Sequence, residues 1–237
     1  MPIITKLAFQ KNQKRVNVFL DGTFAFGATT STVLKHQLRV NQPLSSIEVQ
    51  DLLLLSWQEE LYNQTLTYLS SRPHSQREVN DYLKRRIFSL KRKQLASALA
   101  ETIDWGKIVP TLINKSMERL KKNKFVDDRE FVLWWIKQRL AFRPRGKMAL
   151  RLELRQKGVA SEIIDELLAK EDLISTSIEE EAARRLAQKI WQRFKPHQEV
   201  DRQELFDRKK RLWQRLVSRG FSYEVVKTIV DDLVKKQ

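Results

Sequence analysis

Apolar residues recur at helical spacing in a segment that the chain repeats three times. The copies share a pair of apolar residues four positions apart: Val79 and Leu83, Leu150 and Leu154, and Leu212 and Leu216. Four positions is about one helical turn, so each pair lies on one face of a helix, and we expect these faces to form a shared core. Small helical units bury enough apolar surface only by stacking on their neighbours. Function is therefore expected on a long surface rather than in a pocket.

Period-two alternation marks one region near the start of the chain. Val16, Val18 and Leu20 alternate with other residues, Asp21-Gly22 follows, and strand-forming residues continue over 23–26. An Asp-Gly dipeptide between two such runs is typical of a tight hairpin turn. The pattern predicts a small β-hairpin, followed by a short helix over residues 31–38.

Proline and glycine divide the rest of the chain into units of three helices. Proline disfavours helical geometry in the residue before it, which predicts breaks at Arg72-Pro73, Arg143-Pro144 and Lys195-Pro196. Gly158 and Gly220 are predicted helix stops. Residues 147–157 also alternate like a strand, but the helical spacing of the matching first copy favours a helix.

Capping signatures mark where the helices begin. Ser45-Ser46-Ile47-Glu48 and Ser75-Gln76-Arg77-Glu78 fit capping boxes, and Asp127 or Asp128 caps the first helix of the second repeat. The predicted divisions are residues 1–44 for the hairpin and short helix, 45–125 for repeat 1 with an insertion at about 88–106, 126–172 for repeat 2, and 173–237 for repeat 3.

The amino-acid composition indicates what kind of binding partner to expect. Lys and Arg number 45 against 29 Asp and Glu, giving a net charge of +16 and a pI near 10.1. The expected partners are therefore polyanions or acidic protein surfaces. The absence of cysteine excludes disulfides and thiolate metal sites. No apolar run approaches the length of a membrane span, so we expect a soluble cytoplasmic protein without a membrane partner.

Side chains suited to catalysis or metal binding are sparse. His36, His74 and His197 lie far apart with no carboxylate at ligand spacing, and we interpret them as exposed polar residues. The six glycines occur singly and form no phosphate loop. The sequence predicts a protein that is not an enzyme, with no catalytic residue, no metal site and no cofactor.

Basic residues recur at corresponding places in repeats 1 and 2. The candidates for contact with phosphates or acidic side chains are Arg72, Arg77, Lys84, Arg85, Arg139, Arg143, Arg145, Lys147, Arg151 and Arg155. Stacked repeats would align these charges into a stripe. A charged run on a helix is also typical of an ordinary solvated face, and both interpretations stay open.

Met148 and Leu152 are apolar where the sister repeats are polar. Their counterparts are Arg77 and Asp81 in repeat 1 and Lys210 and Gln214 in repeat 3. On a helix they lie about 200° from the core pair, since each residue turns roughly 100°. They pack against a neighbouring repeat or the N-terminal hairpin, or they form an apolar contact with a partner beside basic residues.

Several segments, taken in order, carry a family resemblance. They are VFLDGTFAFG at 18–27, YLSSRPHS at 68–75, VDDREF at 126–131, RPRG at 143–146, ELRQKG at 153–158 and RGFSY at 219–223. In combination they resemble the bacterial RecX family over nearly the whole chain. Two features depart from the family pattern: the stretch at 88–106 lengthens a helix connection, and Ala160 stands where a capping serine is usual.

The resemblance implies an all-α protein with three tandem three-helix repeats in an elongated, curved array after the small N-terminal β-hairpin. It also implies a role in DNA repair, homologous recombination and the SOS response. Members of the family regulate the RecA recombinase, usually negatively, by lying along the RecA–DNA filament and impeding ATP hydrolysis, strand exchange and coprotease activity.

Three hypotheses follow for this chain. The first is a monomeric regulator that binds the RecA filament, with contact to single- or double-stranded DNA. The second is a stand-alone nucleic-acid-binding protein whose three-helix units dock on DNA. The third is a general scaffold whose charge only aids solubility. Binding to RecA filaments, naked DNA and RecA monomers at two salt concentrations separates them.

Overall fold

The computed structural model describes residues 1–11, 15–94, 103–170, 174–193 and 202–235. The strands are β1 (Ile4–Phe9), β2 (Arg15–Leu20) and β3 (Thr23–Thr29). The helices are α1 (Thr30–Lys35), α2 (Ser46–Leu69), α3 (Gln76–Gln94), α4 (Trp105–Lys122), α5 (Asp128–Phe142), α6 (Lys147–Gln156), α7 (Ser161–Ala169), α8 (Thr176–Trp191), α9 (Arg202–Val217) and α10 (Tyr223–Lys235). The protein is mainly helical, as predicted, and α2–α4, α5–α7 and α8–α10 form three successive sets of three helices.

The predicted hairpin is present and forms part of a larger sheet. β2 and β3 are antiparallel and joined by Asp21 and Gly22, whose φ angles of 48° and 82° are those of the predicted tight turn. The strand β1 was not predicted from the sequence. It pairs with β2 and makes the sheet three-stranded in the order β1-β2-β3.

The chain divides into two compact units. The first contains Met1–Arg72 and Glu78–Val126, and the second contains Pro73–Arg77 and Asp127–Gln237. In the first unit the buried face of the sheet packs with α2, and Trp57 stacks on Trp105 of α4 at 5.2 Å between ring centroids.

The start of α2 follows the predicted cap. The Ser45 hydroxyl accepts from the Glu48 amide and the Glu48 carboxylate accepts from the Ser45 amide, which is the predicted capping box. α2 then runs unbroken for 24 residues. Of the predicted insertion at 88–106, residues 88–94 continue α3, residues 95–102 lie outside the described residues, and α4 begins at Trp105.

The predicted breaks at Arg72-Pro73 and Arg143-Pro144 are both present. α2 ends at Leu69 and α3 begins at Gln76, on either side of the first break. α5 begins after its cap Asp127 and ends at Phe142, just before Arg143-Pro144. Residues 147–156 form a helix, as favoured, and Gly158 ends it with φ +79°. The break at Lys195-Pro196 lies outside the described residues.

The predicted shared core is confirmed. Val79, Leu83, Leu150, Leu154, Leu212 and Leu216 are all 0% exposed. The faces that the repeat comparison aligned are therefore the faces that the second helix of each set buries. Deletion of such a side chain to alanine typically costs about 2–5 kcal/mol of stability.

Within the second unit, the repeats are joined by matching hydrogen bonds. The Ser75 hydroxyl donates to the Lys157 carbonyl at 2.7 Å, and the Gly146 amide donates to the Arg219 carbonyl at 3.0 Å. Gly146 stands 71 positions after Ser75 and Arg219 stands 62 after Lys157, the same offsets that relate the apolar pairs. Equivalent residues thus make equivalent junctions.

A buried carboxylate completes each of these junctions. Asp128 accepts from the Gln76 amide at 2.8 Å, at the start of α3, and Glu179 accepts from the Lys147 amide at 3.0 Å, at the start of α6. Each satisfies an amide at a helix N-terminus that the helix itself leaves without a partner.

Candidate functional site

Some of the predicted contact residues are engaged in ion pairs. Arg72 donates two hydrogen bonds to Glu78, at 3.0 and 3.1 Å, and Arg151 Nε lies 2.8 Å from Asp165 Oδ1. These guanidinium groups are oriented by carboxylates of the same unit. A partner would meet them as paired charges.

Glu153 organises a second group of predicted residues. It accepts from Arg139 Nε at 2.7 Å and from Trp135 Nε1 at 2.9 Å, and Arg145 Nε lies 3.2 Å from its other oxygen. The Arg139 guanidinium also stacks on the Trp135 ring at 4.2 Å, a favourable cation–π geometry. One carboxylate therefore fixes Arg139 and Arg145 beside each other.

The remaining predicted basic residues differ in their surroundings. Arg77, Lys84, Arg85, Arg143 and Arg155 are exposed, whereas Lys147 is half-buried. The stem of Arg77 packs so closely on Gly158 that a Cβ there would lie 2.4 Å from Arg77 Cδ. Arg77 thus helps to close the junction between repeats.

The second unit carries a basic cleft that brings two of the predicted residues together with five others. We call it the basic cleft. The basic residues that line it are Arg143, Arg145, Arg185, Lys189, Arg193, Arg215 and Arg219. The cleft has a volume of about 740 Å³, and the described residues that line it include no acidic side chain. The apolar part of the lining is Ala141, Phe142, Pro144, Leu186 and Ile190.

The charges of the basic cleft influence one another. Partial burial lowers the pKa of the Arg219 guanidinium, and the neighbouring cations Arg145, Arg215 and Arg143 lower it further, against the opposing charge of Glu153. In the described part of the chain, no carboxylate forms an ion pair with Arg143, Lys189, Arg193, Arg215 or Arg219. A cleft lined by one sign of charge focuses its field and attracts anions.

The third-repeat side of this cleft was not predicted from the sequence, although a signal was present. Arg185, Lys189 and Arg193 recur every four residues, which places them along one face of α8 and its C-terminal extension. Arg211, Arg215 and Arg219 show the same spacing at the end of α9. The prediction of a basic stripe compared charges in repeats 1 and 2 only.

An exposed apolar surface lies on α6. Met148 is 67% and Leu152 59% exposed, so the alternative in which they pack against a neighbouring repeat or the hairpin is wrong. Arg151 and Arg155 lie one turn from them on the same helix. We call these four residues the α6 face. Methionine and arginine are enriched at protein–protein interfaces.

Histidines and acidic residues provide no alternative site in the described part of the chain. His74 is buried, not exposed as interpreted, and it has an interaction partner. His197 lies outside the described residues. Across the described ranges, no group of three or more histidine and carboxylate side chains is arranged to hold a metal ion, and no helix is both long and apolar enough to cross a bilayer.

Successive three-helix sets, a small N-terminal sheet and the basic cleft define the class of this molecule, a basic helical-repeat protein. Three family models match in chain order: the regulatory protein RecX N-terminal domain at residues 2–45, the RecX second three-helix domain at 127–168 and the RecX third three-helix domain at 178–230. The chain belongs to the RecX family of regulatory proteins.

Individual RecX proteins are similar in sequence to this chain over nearly its full length. A regulatory protein RecX from Clostridium beijerinckii is 30% identical over 97% of this chain and 95% of its own. One from Bacillus licheniformis is 29% identical over 98% of this chain and 78% of its own. A crystal structure of regulatory protein RecX superposes with a TM-score of 0.63 at 22% identity, covering 98% of this chain and all of its own. A crystal structure of RecX from Lactobacillus salivarius superposes with a TM-score of 0.53 at 20% identity, covering 75% of this chain and 96% of its own. These structures support the fold.

Proposed function

We propose that this protein regulates the RecA recombinase by binding the RecA–DNA filament, and that it inhibits ATP hydrolysis, strand exchange and coprotease activity. Membership of the RecX family carries this proposal, since the family resemblance implies that role. The protein would act in the cytoplasm, as a monomer and without catalysis of its own.

We further propose the α6 face as the apolar contact with RecA. Met148 and Leu152 remain exposed although they lie on a helix whose other face is fully buried, and Arg151 and Arg155 flank them. A central apolar anchor with charged neighbours is the usual composition of a strong protein contact. The arginines would select an acidic surface on the filament, and the apolar pair would supply most of the affinity.

The other predicted basic residues stand as proposed charge contacts: Arg72, Arg77, Lys84, Arg85, Arg139, Arg143, Arg145 and Lys147. The ion pairs of Arg72, Arg139 and Arg145 reduce what these side chains can contribute, because a partner must compete with Glu78 or Glu153. Arg77 and Arg143 are the exposed members of this group in the second unit. We also propose that the repeats are divided after residues 44, 125 and 172. The three sets of helices support these boundaries.

Binding measurements at two salt concentrations test the proposal. We expect tight binding to RecA–DNA filaments, with weaker and more salt-dependent binding to naked DNA, because phosphate contacts release counterions whereas apolar contacts do not. Binding to naked DNA alone would favour the stand-alone nucleic-acid-binding function. Binding to neither would contradict both.

A further inference from the structure

The exposed sulfur of Met148 carries an inference about how the α6 face is regulated, and it rests on the proposed contact of that face with RecA. We propose that Met148 is a site of reversible oxidation: a peroxide converts its thioether to the sulfoxide, and the oxidised protein inhibits the recombinase less strongly. Inhibition is relieved while oxidants are present and returns once the sulfoxide has been reduced.

The sulfur atoms of this chain belong to three methionines, since the sequence has no cysteine. Met117 is partly buried and packs against the core of the first unit. Met148 is 67% exposed on the α6 face, and Met1, at the N-terminus, is 90% exposed. Susceptibility to oxidation rises with exposure, so Met148 is the oxidisable sulfur among the residues proposed to contact RecA.

The fold tolerates a polar group at the position of Met148. The equivalent residues of the sister repeats are Arg77 and Lys210, and both are exposed on the second helix of their sets. The buried residues of α6 are Leu150 and Leu154, on its other face. A sulfoxide at Met148 therefore changes the surface that a partner meets and leaves the core of the repeat intact.

The oxidation is a balanced two-electron step. Hydrogen peroxide transfers one oxygen atom to the Met148 sulfur: the O–O bond breaks, an S–O bond forms, the sulfur loses two electrons, and water leaves. A thiol-dependent methionine sulfoxide reductase reverses the step, releasing the oxygen as water while two thiols are oxidised to a disulfide. The oxidised side chain is polar and carries a hydrogen-bond acceptor in place of an apolar sulfur.

The sulfoxide weakens the contact because the α6 face relies on two apolar side chains. Met148 and Leu152 form its apolar anchor, and burying a polar oxygen against an apolar surface without a donor is unfavourable. The side chain of Leu152 has no sulfur, so Met148 makes one half of the anchor responsive to peroxide. We expect about fivefold more of the oxidised protein to be needed for the same inhibition of RecA ATP hydrolysis.

The test treats the full chain with hydrogen peroxide, removes the peroxide with catalase, and then measures inhibition of RecA ATP hydrolysis against an untreated sample of the same variant. The parent and the matched control Met117→Leu should both lose about fivefold in potency, and a methionine sulfoxide reductase should restore it. Met148→Leu should show no loss on treatment, whatever its starting potency, because its α6 face offers the oxidant no sulfur. Met148→Gln, which places a polar acceptor at this position, should be about fivefold weaker than the parent before any treatment.

Peptide mass spectrometry of the treated protein, in the absence of RecA, follows the modification itself. Sulfoxide should form several times faster at Met148 than at Met117, because Met148 is the more exposed. Equal rates at the two residues would overturn the proposed site. Urea unfolding of the treated parent should match that of the untreated parent, and a lowered midpoint would overturn the claim that oxidation acts on the contact rather than on the fold.

Failure of the regulation is distinguishable from failure of the proposed function. Full potency of a parent that carries the sulfoxide at Met148, or an equal loss by Met148→Leu on treatment, would overturn the regulation while the untreated protein still inhibits RecA. A loss that the reductase does not reverse would overturn its reversibility. An untreated parent that fails to inhibit RecA would contradict the proposed function, and the regulation with it.

Discussion

Glu179 is a buried carboxylate at the junction of two repeats, only 5% exposed. Desolvation raises its pKa, and this outweighs the opposing effects of the Lys147 amide hydrogen bond and the Lys147 charge. The residue therefore stabilises α6 through its hydrogen bond at the expense of burying a charge at neutral pH.

The raised pKa gives a pH-dependent stability with a defined sign. The folded protein binds a proton at Glu179 more tightly than the unfolded chain does, so this contribution is fully present below the ordinary pKa of 4.5 and is lost as the pH rises through the raised value. Glu179→Gln keeps an oxygen acceptor and removes the charge. We expect the variant to exceed the parent in free energy of unfolding at pH 7–8 and to match it near pH 4.

Urea unfolding across this pH range measures the difference. Glu224→Gln is the control, because Glu224 is an exposed acidic residue in the first turn of α10. A difference between Glu179→Gln and the parent that stays constant from pH 4 to pH 8 would contradict the role assigned to burial.

Residue-level contacts were the least predictable from the sequence. No sequence pattern predicted the role of Glu153, yet it binds three side chains that come from α5 and from the turn between α5 and α6. Its role depends on distances that arise only after the helices pack. The basic cleft required the same tertiary information, although the four-residue spacing of its cations in repeat 3 was visible in the sequence.

At the scale of the helix, α7 lacks a side-chain cap. Ala160 occupies the N-cap position with extended backbone geometry and makes no capping hydrogen bond, whereas Ser222 accepts from the Val225 amide at 3.4 Å at the start of α10. We expect Ala160→Ser to raise the free energy of unfolding by about 1 kcal/mol. The reciprocal Ser222→Ala should lower it by a similar amount. Urea denaturation checks both, and an unchanged midpoint for Ala160→Ser would contradict the importance of the cap.

Gly220 follows the end of α9. Both its backbone conformation and the lack of space around it disfavour any residue with a side chain at this position. Its φ is +79°, and an added Cβ would lie 2.3 Å from the Ala149 amide nitrogen, an atom of the helix backbone. Gly22 has a similar φ of +82° but no atom within 4 Å of such a Cβ. We expect Gly22→Ala to cost about 1–2 kcal/mol from the left-handed conformation, and Gly220→Ala to cost about 1–3 kcal/mol more from the clash.

Thermal or urea unfolding of the two glycine variants tests this difference, with secondary structure followed by circular dichroism. Equal destabilisation would show that the repeat junction can relax around the added methyl group. That result would contradict close packing between α6 and the end of α9.

Helix boundaries were predicted well because prolines, glycines and caps act locally. The strand that was missed, β1, is an edge strand in which Ile4 is fully buried while Thr5, Lys6 and Phe9 are exposed, so its alternation is weak. Pairing with β2, rather than its own pattern, determines that strand.

At the scale of the molecule, the repeat was visible in the sequence and explains the junctions. Residues related by offsets of 71 and 62 positions share a buried core face. Equivalent positions also form the hydrogen bonds between repeats, through the Ser75 hydroxyl in one junction and the Gly146 amide in the other. Repetition makes such prediction possible, because one unit supplies the template for the next. The apolar pair of the α6 face, Met148 and Leu152, has no apolar counterpart in the sister repeats, and this difference identified it as a candidate partner contact.

The rate of DNA-dependent ATP hydrolysis by RecA, measured as increasing amounts of this protein are added, tests directly whether the protein regulates RecA. We predict that the rate falls and reaches a plateau, and that Met148→Ser with Leu152→Ser requires about tenfold more protein for the same inhibition, since apolar anchors carry most of the energy of an interface. The control, Leu34→Ser with Ile47→Ser, alters two other exposed apolar residues and should inhibit like the parent. An ATPase rate that stays unchanged when the concentration of this protein equals or exceeds that of RecA would contradict the proposed inhibition.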